Sequence, residues 1–194
     1  MRRQPAHGLS NPSNIEIMEK EITADIGRQR FMFASVALVF LLVDWLSKRL
    51  FQGWLETGGP IEVIPGFRLI LVHNHGAAFG FLASAGGWQR GFFIAVAAAV
   101  IIYLAWRLWM ARPEEKLTNI GFAMILGGAA GNLIDRVRHG YVVDFIDIYV
   151  RDWHWPAFNV ADAAISVGAL VVILDSLGLF RIHPSKPSQN GLHR

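Results

Sequence analysis

The 194-residue chain contains no cysteine. That absence excludes disulfides, thiol nucleophiles and thiolate metal sites. Charge is scarce too: 17% of residues are charged and 53% hydrophobic, with a mean hydropathy of +0.36. Soluble domains carry about a quarter charged residues, so this composition belongs in or beside lipid. The sequence also lacks HExxH, GxSxG and a glycine-rich phosphate loop, which sets aside zincins, serine hydrolases of that type and nucleotide-phosphate binding. Neither an internal repeat nor a low-complexity tract is present. The length suits one membrane domain. A net charge of +3 is modest, and the basic residues cluster at the ends of apolar runs. They read as topology signals and not as a nucleic-acid surface.

What the chain does have is four apolar segments near spanning length. They run from Phe31 to Leu50 (interrupted by Asp44 and Lys48), Phe92 to Ala111, Leu117 to Ile134, and Val160 to Phe180. Roughly 20 helical residues cross a hydrocarbon core. The reading is therefore an all-α membrane protein with four transmembrane helices and both termini on one side. Eleven Lys/Arg fall on the side of the termini and the second connection, against seven on the other side. That bias places both termini in the cytoplasm. The first segment lacks a small-x-small cleavage site and reads as an uncleaved helix.

Three regions follow: a polar N-terminal tail over 1–27, a four-helix membrane domain over 28–182, and a polar tail over 183–194. Arg112-Pro113-Glu114-Glu115-Lys116 is short enough to make helices 2 and 3 an antiparallel hairpin. Within 51–90, Ile61–Ile64 and Phe67–Val72, flanked by Gly-Pro turn signals, read as strands of a small extracytoplasmic β-rich element. The 137–157 connection carries interfacial aromatics at Tyr149, Trp153 and Trp155. Its Asp147 and Asp152 read as solvated loop residues.

The polar residues inside apolar sequence carry the functional signal, because an ionisable group there is costly and usually functional. Asp144 lies in Tyr-Val-Val-Asp-Phe. Asp162 opens the last apolar run, and Asn159 before it is an N-cap candidate that puts Asp162 in the first helical turn. Two carboxylates in an apolar site can share one proton and activate water, as in aspartic proteases. Asp44 and Lys48 are spaced for an i,i+4 ion pair. Gly127 and Gly131 make a small-xxx-small face, and Asn132, Asp135 and Arg136 project together beyond it. Asp135 and Arg136 can neutralise each other, or Arg136 can hold a backbone carbonyl or a carboxylate. Asp175, deep in the last segment, reads as snorkelling or paired with Arg107. All the other polar groups gather at the outer ends of the helices, so one cluster is the economical arrangement. A channel or transporter would instead need polar residues continuing across the bilayer, and a purely structural assembly factor would not need such costly groups.

Four ordered motifs then carry a resemblance. Asp44-Trp45-Leu46-Ser47-Lys48, Asn74-His75-Gly76-Ala77-Ala78-Phe79-Gly80, Gly131-Asn132-Leu133-Ile134-Asp135-Arg136 with Val143-Asp144-Phe145, and Phe158-Asn159-Val160-Ala161-Asp162 resemble the bacterial lipoprotein signal peptidases (signal peptidase II) over residues 30–180. The resemblance implies an inner-membrane aspartic endopeptidase that cleaves diacylglyceryl-modified prolipoproteins before the lipidated cysteine. It implies Asp144 and Asp162 as the catalytic pair, supported by Asp44, Lys48, Asn74, Asn132, Asp135, Arg136 and Asn159. The expected partners are these substrates and membrane lipid, the expected state is a monomer, and no metal or other cofactor is called for. The site is expected near the outer face, with the 51–90 loop as a partly ordered lid.

Overall fold

The computed structural model describes residues 12–76, 87–112 and 115–180. The expectations for the Ala-Ala-Phe-Gly segment 77–80, for the tail 183–194 and for the first 11 residues fall outside the described residues. Among the described residues there are four helices and four strands: α1 (Pro12–Gly58), β1 (Ile61–Ile64), β2 (Phe67–Asn74), α2 (Trp88–Trp109), α3 (Lys116–Arg138), β3 (Val142–Val150), β4 (Trp153–His154) and α4 (Val160–Ser176).

Three helices, α1, α2 and α3, are long and apolar enough to cross a membrane. The fourth apolar segment is helical for 17 residues and ends at Ser176, where Gly178 takes a left-handed φ of 75°. At 1.5 Å per residue α4 spans about 26 Å. The first helix is longer than the apolar run suggested. It begins in the polar N-terminal region, from Pro12, and runs 47 residues without a break.

Helix α3 is the hub, packing against α1, α2 and α4. Small residues let it do so. A Cβ on Gly121 would lie 2.7 Å from the Gly168 carbonyl oxygen, and one on Gly168 would lie 2.6 Å from that of Gly121. The α3–α4 crossing is therefore backbone against backbone, the close approach that small-xxx-small faces permit. On its other side Gly127 sits against the Ala37 backbone and Gly131 against the Asp44 side chain, both on α1. Phe33, Ala37, Leu108 and Ala123 form the tight apolar core between α1, α2 and α3. Large apolar side chains elsewhere on the helices, among them Leu46, Ile102, Trp106 and Leu170, face outward, as lipid-facing positions do.

The β element is one antiparallel sheet in the order β1-β2-β3-β4. Both expected strands are present. Gly66, at φ 90°, makes the turn between them, and its carbonyl accepts from Tyr149 N at 3.0 Å. The 137–157 connection is corrected from loop to strand: β3 occupies nine of its residues, alternating valine, isoleucine, phenylalanine and tyrosine with two aspartates. Such β-branched and aromatic runs fit a pleated surface. β2 and β3 pair so that Val72 faces Asp144 and Asn74 faces Val142.

Candidate active site

Asn159 organises the site. It is the N-cap of α4 in a full capping box: its Oδ1 accepts from Asp162 N at 2.9 Å, and Asp162 Oδ2 accepts from Asn159 N at 3.3 Å. The cap expected from sequence is thus present, and it fixes Asp162 at the positive end of the helix, where negative charge is favoured. The same Asn159 side chain donates from Nδ2 to Asp144 Oδ1 at 2.7 Å. One residue therefore binds both candidate carboxylates.

The remaining oxygens of the pair are held by amides. Asn74 Nδ2 donates to Asp144 Oδ2 at 3.0 Å, and Asn132 Nδ2 donates to Asp162 Oδ1 at 2.8 Å. Asp144 is only 1% exposed. Burial, and then the nearby Asp162 carboxylate, push its carboxyl up to about 7, although the amides of Asn74 and Asn159 act in the opposite direction. Asp162 instead lines an open cavity of about 460 Å³ together with Asn74, Asn132 and Arg136.

Beneath the pair lies a second polar layer centred on Lys48. Its ammonium sits 2.8 Å from Asp44 and 2.8 Å from Asp135, and donates to Asn132 Oδ1 at 3.0 Å. Three donors meet three acceptors, so the buried cation is satisfied. The i,i+4 ion pair is present, but Asp135 pairs with Lys48 and not with its neighbour Arg136. Each carboxylate also ties down backbone. Asp44 accepts from Ala161 N at 2.9 Å, supporting the first turn of α4, and Asp135 accepts from Val143 N at 3.3 Å, next to Asp144. Arg136 donates to the Gly76 carbonyl at 3.1 Å and to the Asn132 carbonyl at 3.3 Å, with its guanidinium 5.3 Å from the Phe93 ring centroid.

All nine residues singled out from sequence therefore fall in one connected region. Sequence reasoning missed the cavity wall formed by Trp155, Pro156, Ala157 and Phe158, and by Ile165, Ser166 and Val167 on α4. It also misplaced Asp147 and offered Asp175 a pairing with Arg107 that the structure does not make. Asp147 is not a solvated loop residue: it is 2% exposed, on β3, against Arg68 and His154. Asp175 accepts from Thr118, while Arg107 pairs with Glu115. Among the described residues no three His, Asp or Glu side chains converge as a metal-ligand set.

Helices built to meet lipid, with buried carboxylates opening on a cavity, define a helical membrane enzyme. The fold agrees. A solved structure described as a bacterial membrane enzyme determined in meso at 2.3 Å superposes with a TM-score of 0.66 at 28% identity, covering 80% of this chain and 93% of that one. A second such structure, at 1.9 Å, gives a TM-score of 0.64 at 27% identity, covering 78% and 94%. The family model described as Signal peptidase (SPase) II matches residues 36–178, and the chain belongs to that family. Among similar relatives, the lipoprotein signal peptidase of Alteromonas mediterranea is 46% identical over 84% of this chain and 86% of its own. That of Paraburkholderia phytofirmans is 52% identical over 73% and 82%.

Proposed function

We propose that the protein removes signal peptides from diacylglyceryl-modified prolipoproteins, cutting before the lipidated cysteine with Asp144 and Asp162 as an aspartic dyad. The observation that carries the dyad is the double grip of Asn159, whose one side chain binds Asp144 and caps the helix that presents Asp162.

The chemistry follows from the two environments. Asp144, buried and raised to about 7, keeps the shared proton. Asp162, at a helix N-terminus beside the cavity, starts as the base. It takes a proton from water as the oxygen attacks the scissile carbonyl. Asp144 gives its proton to the carbonyl oxygen, forming a neutral tetrahedral diol. Proton return to Asp144 and transfer from Asp162 to the leaving nitrogen break the C–N bond and restore the starting state. Asn74 and Asn132 hold the carboxylates in register. Arg136 anchors the chain after Asn74 through Gly76. The Lys48 cluster with Asp44 and Asp135 locks α1, α3, β3 and α4 together beneath them.

Four spanning helices, α4 included, with both termini cytoplasmic, put this site at the outer face of the inner membrane. There water reaches the dyad while the substrate acyl chains stay in lipid. The enzyme acts as a monomer, and the polar tails at 1–27 and 183–194 lie outside the catalytic domain.

The test is cleavage of a lipidated precursor by purified protein in detergent. Asp144→Asn and Asp162→Asn each lose nearly all turnover, and the double variant is little worse, as for groups acting as a unit. Near-normal turnover in either single variant would exclude the dyad.

A further inference from the structure

The buried carboxylate left without a role in the site is Asp147. It lies three residues along β3 from Asp144, so alternation puts it on the opposite face of the sheet. Its partners come from both neighbouring strands. Arg68 Nε on β2 lies 2.5 Å from Oδ2, and His154 Nδ1 on β4 lies 3.0 Å from Oδ1. The register aligns Glu62, Arg68 and Asp147 across β1, β2 and β3, and His154, opposite Tyr149 on β4, reaches Asp147 diagonally. The Tyr149 ring stacks on His154 at 5.2 Å and lies 5.3 Å from the Arg68 guanidinium, and its hydroxyl donates to Glu62 at 2.9 Å.

The chain from Asp144 to Asp162 shows what such a row holds. β3 leaves Asp144, turns at Arg151, where φ is 56°, and returns through the two residues of β4. The returning arm stays zipped to β3, Trp155 N donating to the Ile148 carbonyl at 2.8 Å and Phe158 N to that of Ile146 at 3.1 Å. The next residue is Asn159. Asp144 therefore lies near the root of this hairpin on β3, and Asp162 follows the root of the returning arm, in the first turn of α4; the returning arm also walls the cavity. A two-residue strand is a weak tie by itself. The paired Asp147 supplies a hydrogen-bonded cross-brace just above the root, and leaving it unpaired while buried is costly.

We infer that Asp147, braced by Arg68 and His154, is a positioning residue that fixes the two arms of this hairpin and so the separation of Asp144 and Asp162. The inference rests on the aspartic dyad. It has a signature beyond folding. Asp162 helps to raise the Asp144 carboxyl, so arms that part lower it, and the alkaline limb of the pH–rate profile moves to lower pH.

The experiment measures kcat, KM and the pH–rate profile of the full-length protein on a lipidated precursor. Asp147→Asn lowers kcat about tenfold to a hundredfold, the scale of small misplacements, and moves the alkaline limb down by about half a pH unit or more. His154→Phe keeps the ring on Tyr149 but cannot bond Asp147; it behaves the same way and serves if Asp147→Asn does not fold. His154→Asn puts an amide N–H where Nδ1 stood and recovers most of the lost kcat. Asp152→Asn, at the exposed turn, matches wild type. The inference is overturned if His154→Phe keeps wild-type kcat, if kcat falls with the pH profile unmoved, or if His154→Asn is as impaired as His154→Phe. Asp144→Asn run in parallel separates the two readings. If it is inactive while His154→Phe is unaffected, only the brace fails; if it remains active, the dyad itself fails.

Discussion

Asp144→Asn should make the enzyme inactive and, at alkaline pH, more stable. The carboxyl is raised from its ordinary 3.8 to about 7. A group that binds its proton more tightly when folded contributes stability that is complete below 3.8 and lost as pH rises through about 7. At about 1.4 kcal/mol per pH unit, ionising Asp144 in the folded state costs about 4 kcal/mol. An amide carries no such cost, but it has one oxygen where the carboxylate uses two. Asn159 and Asn74 donate to different oxygens of Asp144, so one of them loses its acceptor. Asn74 cannot simply flip, because its Oδ1 already accepts from Gly76 N at 3.0 Å. An orphaned buried donor costs about 1–3 kcal/mol. The variant should thus be more stable than wild type by about 1–3 kcal/mol at pH 8 and less stable by about 1–3 kcal/mol at pH 4, with the sign reversing between. Unfolding by SDS titration in mixed micelles at the two pH values reads the difference, and precursor cleavage reads the activity. Equal destabilisation at both pH values would refute the idea that burial keeps the proton on Asp144.

Lys48→Met leaves Asp44 and Asp135 buried without their cation and should destabilise by about 3–5 kcal/mol, whereas Asp44→Asn, which leaves the Lys48–Asp135 pair intact, should cost less; SDS titration checks the order. Gly121→Leu should destabilise by about 3 kcal/mol or more, because its side chain meets the Gly168 backbone carbonyl, which cannot move aside, as well as Val172, and even Gly121→Ala should be measurably weaker in the same assay. Asn74→Ala should lose most turnover while the protein remains folded and membrane-inserted, as judged by cleavage and by circular dichroism. A chelator should leave turnover unchanged. For topology, single cysteines replacing Asp152 and Ser185 should react oppositely with an impermeant maleimide on spheroplasts, the first labelled and the second protected; the reverse pattern would invert the orientation.

Local signals were the legible ones. An asparagine before an apolar run with an aspartate three residues on is a helix cap whatever surrounds it, and Asn159 and Asp162 form that cap. The Asp44 and Lys48 spacing, the Gly127 and Gly131 face and the strands on either side of Gly66 were readable for the same reason. Long-range partners were not. Asp135 is next to Arg136 in sequence, yet Lys48, 87 residues away, pairs with it. β3 was read as an interfacial loop because Asp147 breaks its apolar pattern. That aspartate is acceptable in a strand only because Arg68 and His154 are brought to it by β2 and β4. The end of α4 was missed because the residues after Ser176 remain apolar, and composition alone does not mark where the helix unwinds.

The buried acids of this site are treated in two different ways, and the difference assigns their work. Asp44 and Asp135 share a full cation, Lys48, and spend their remaining capacity on backbone N–H groups of the segments carrying Asp162 and Asp144. A carboxylate so committed, to a cation and to backbone N–H groups, is suited to holding chain in place. Among the described residues Asp144 has no ion-pair partner; its two oxygens accept from the neutral amides of Asn159 and Asn74. Amides orient a carboxyl without compelling it to ionise, so burial and the proximity of Asp162 decide its charge. Asp144, oriented by amides and raised to about 7 by burial, is suited to carry a proton at neutral pH. On the proposed dyad Asp144 is the chemical group and Asp44 and Asp135 are its frame, so replacing Lys48 should damage the fold, whereas replacing Asp144 should abolish the reaction and shift stability only with pH.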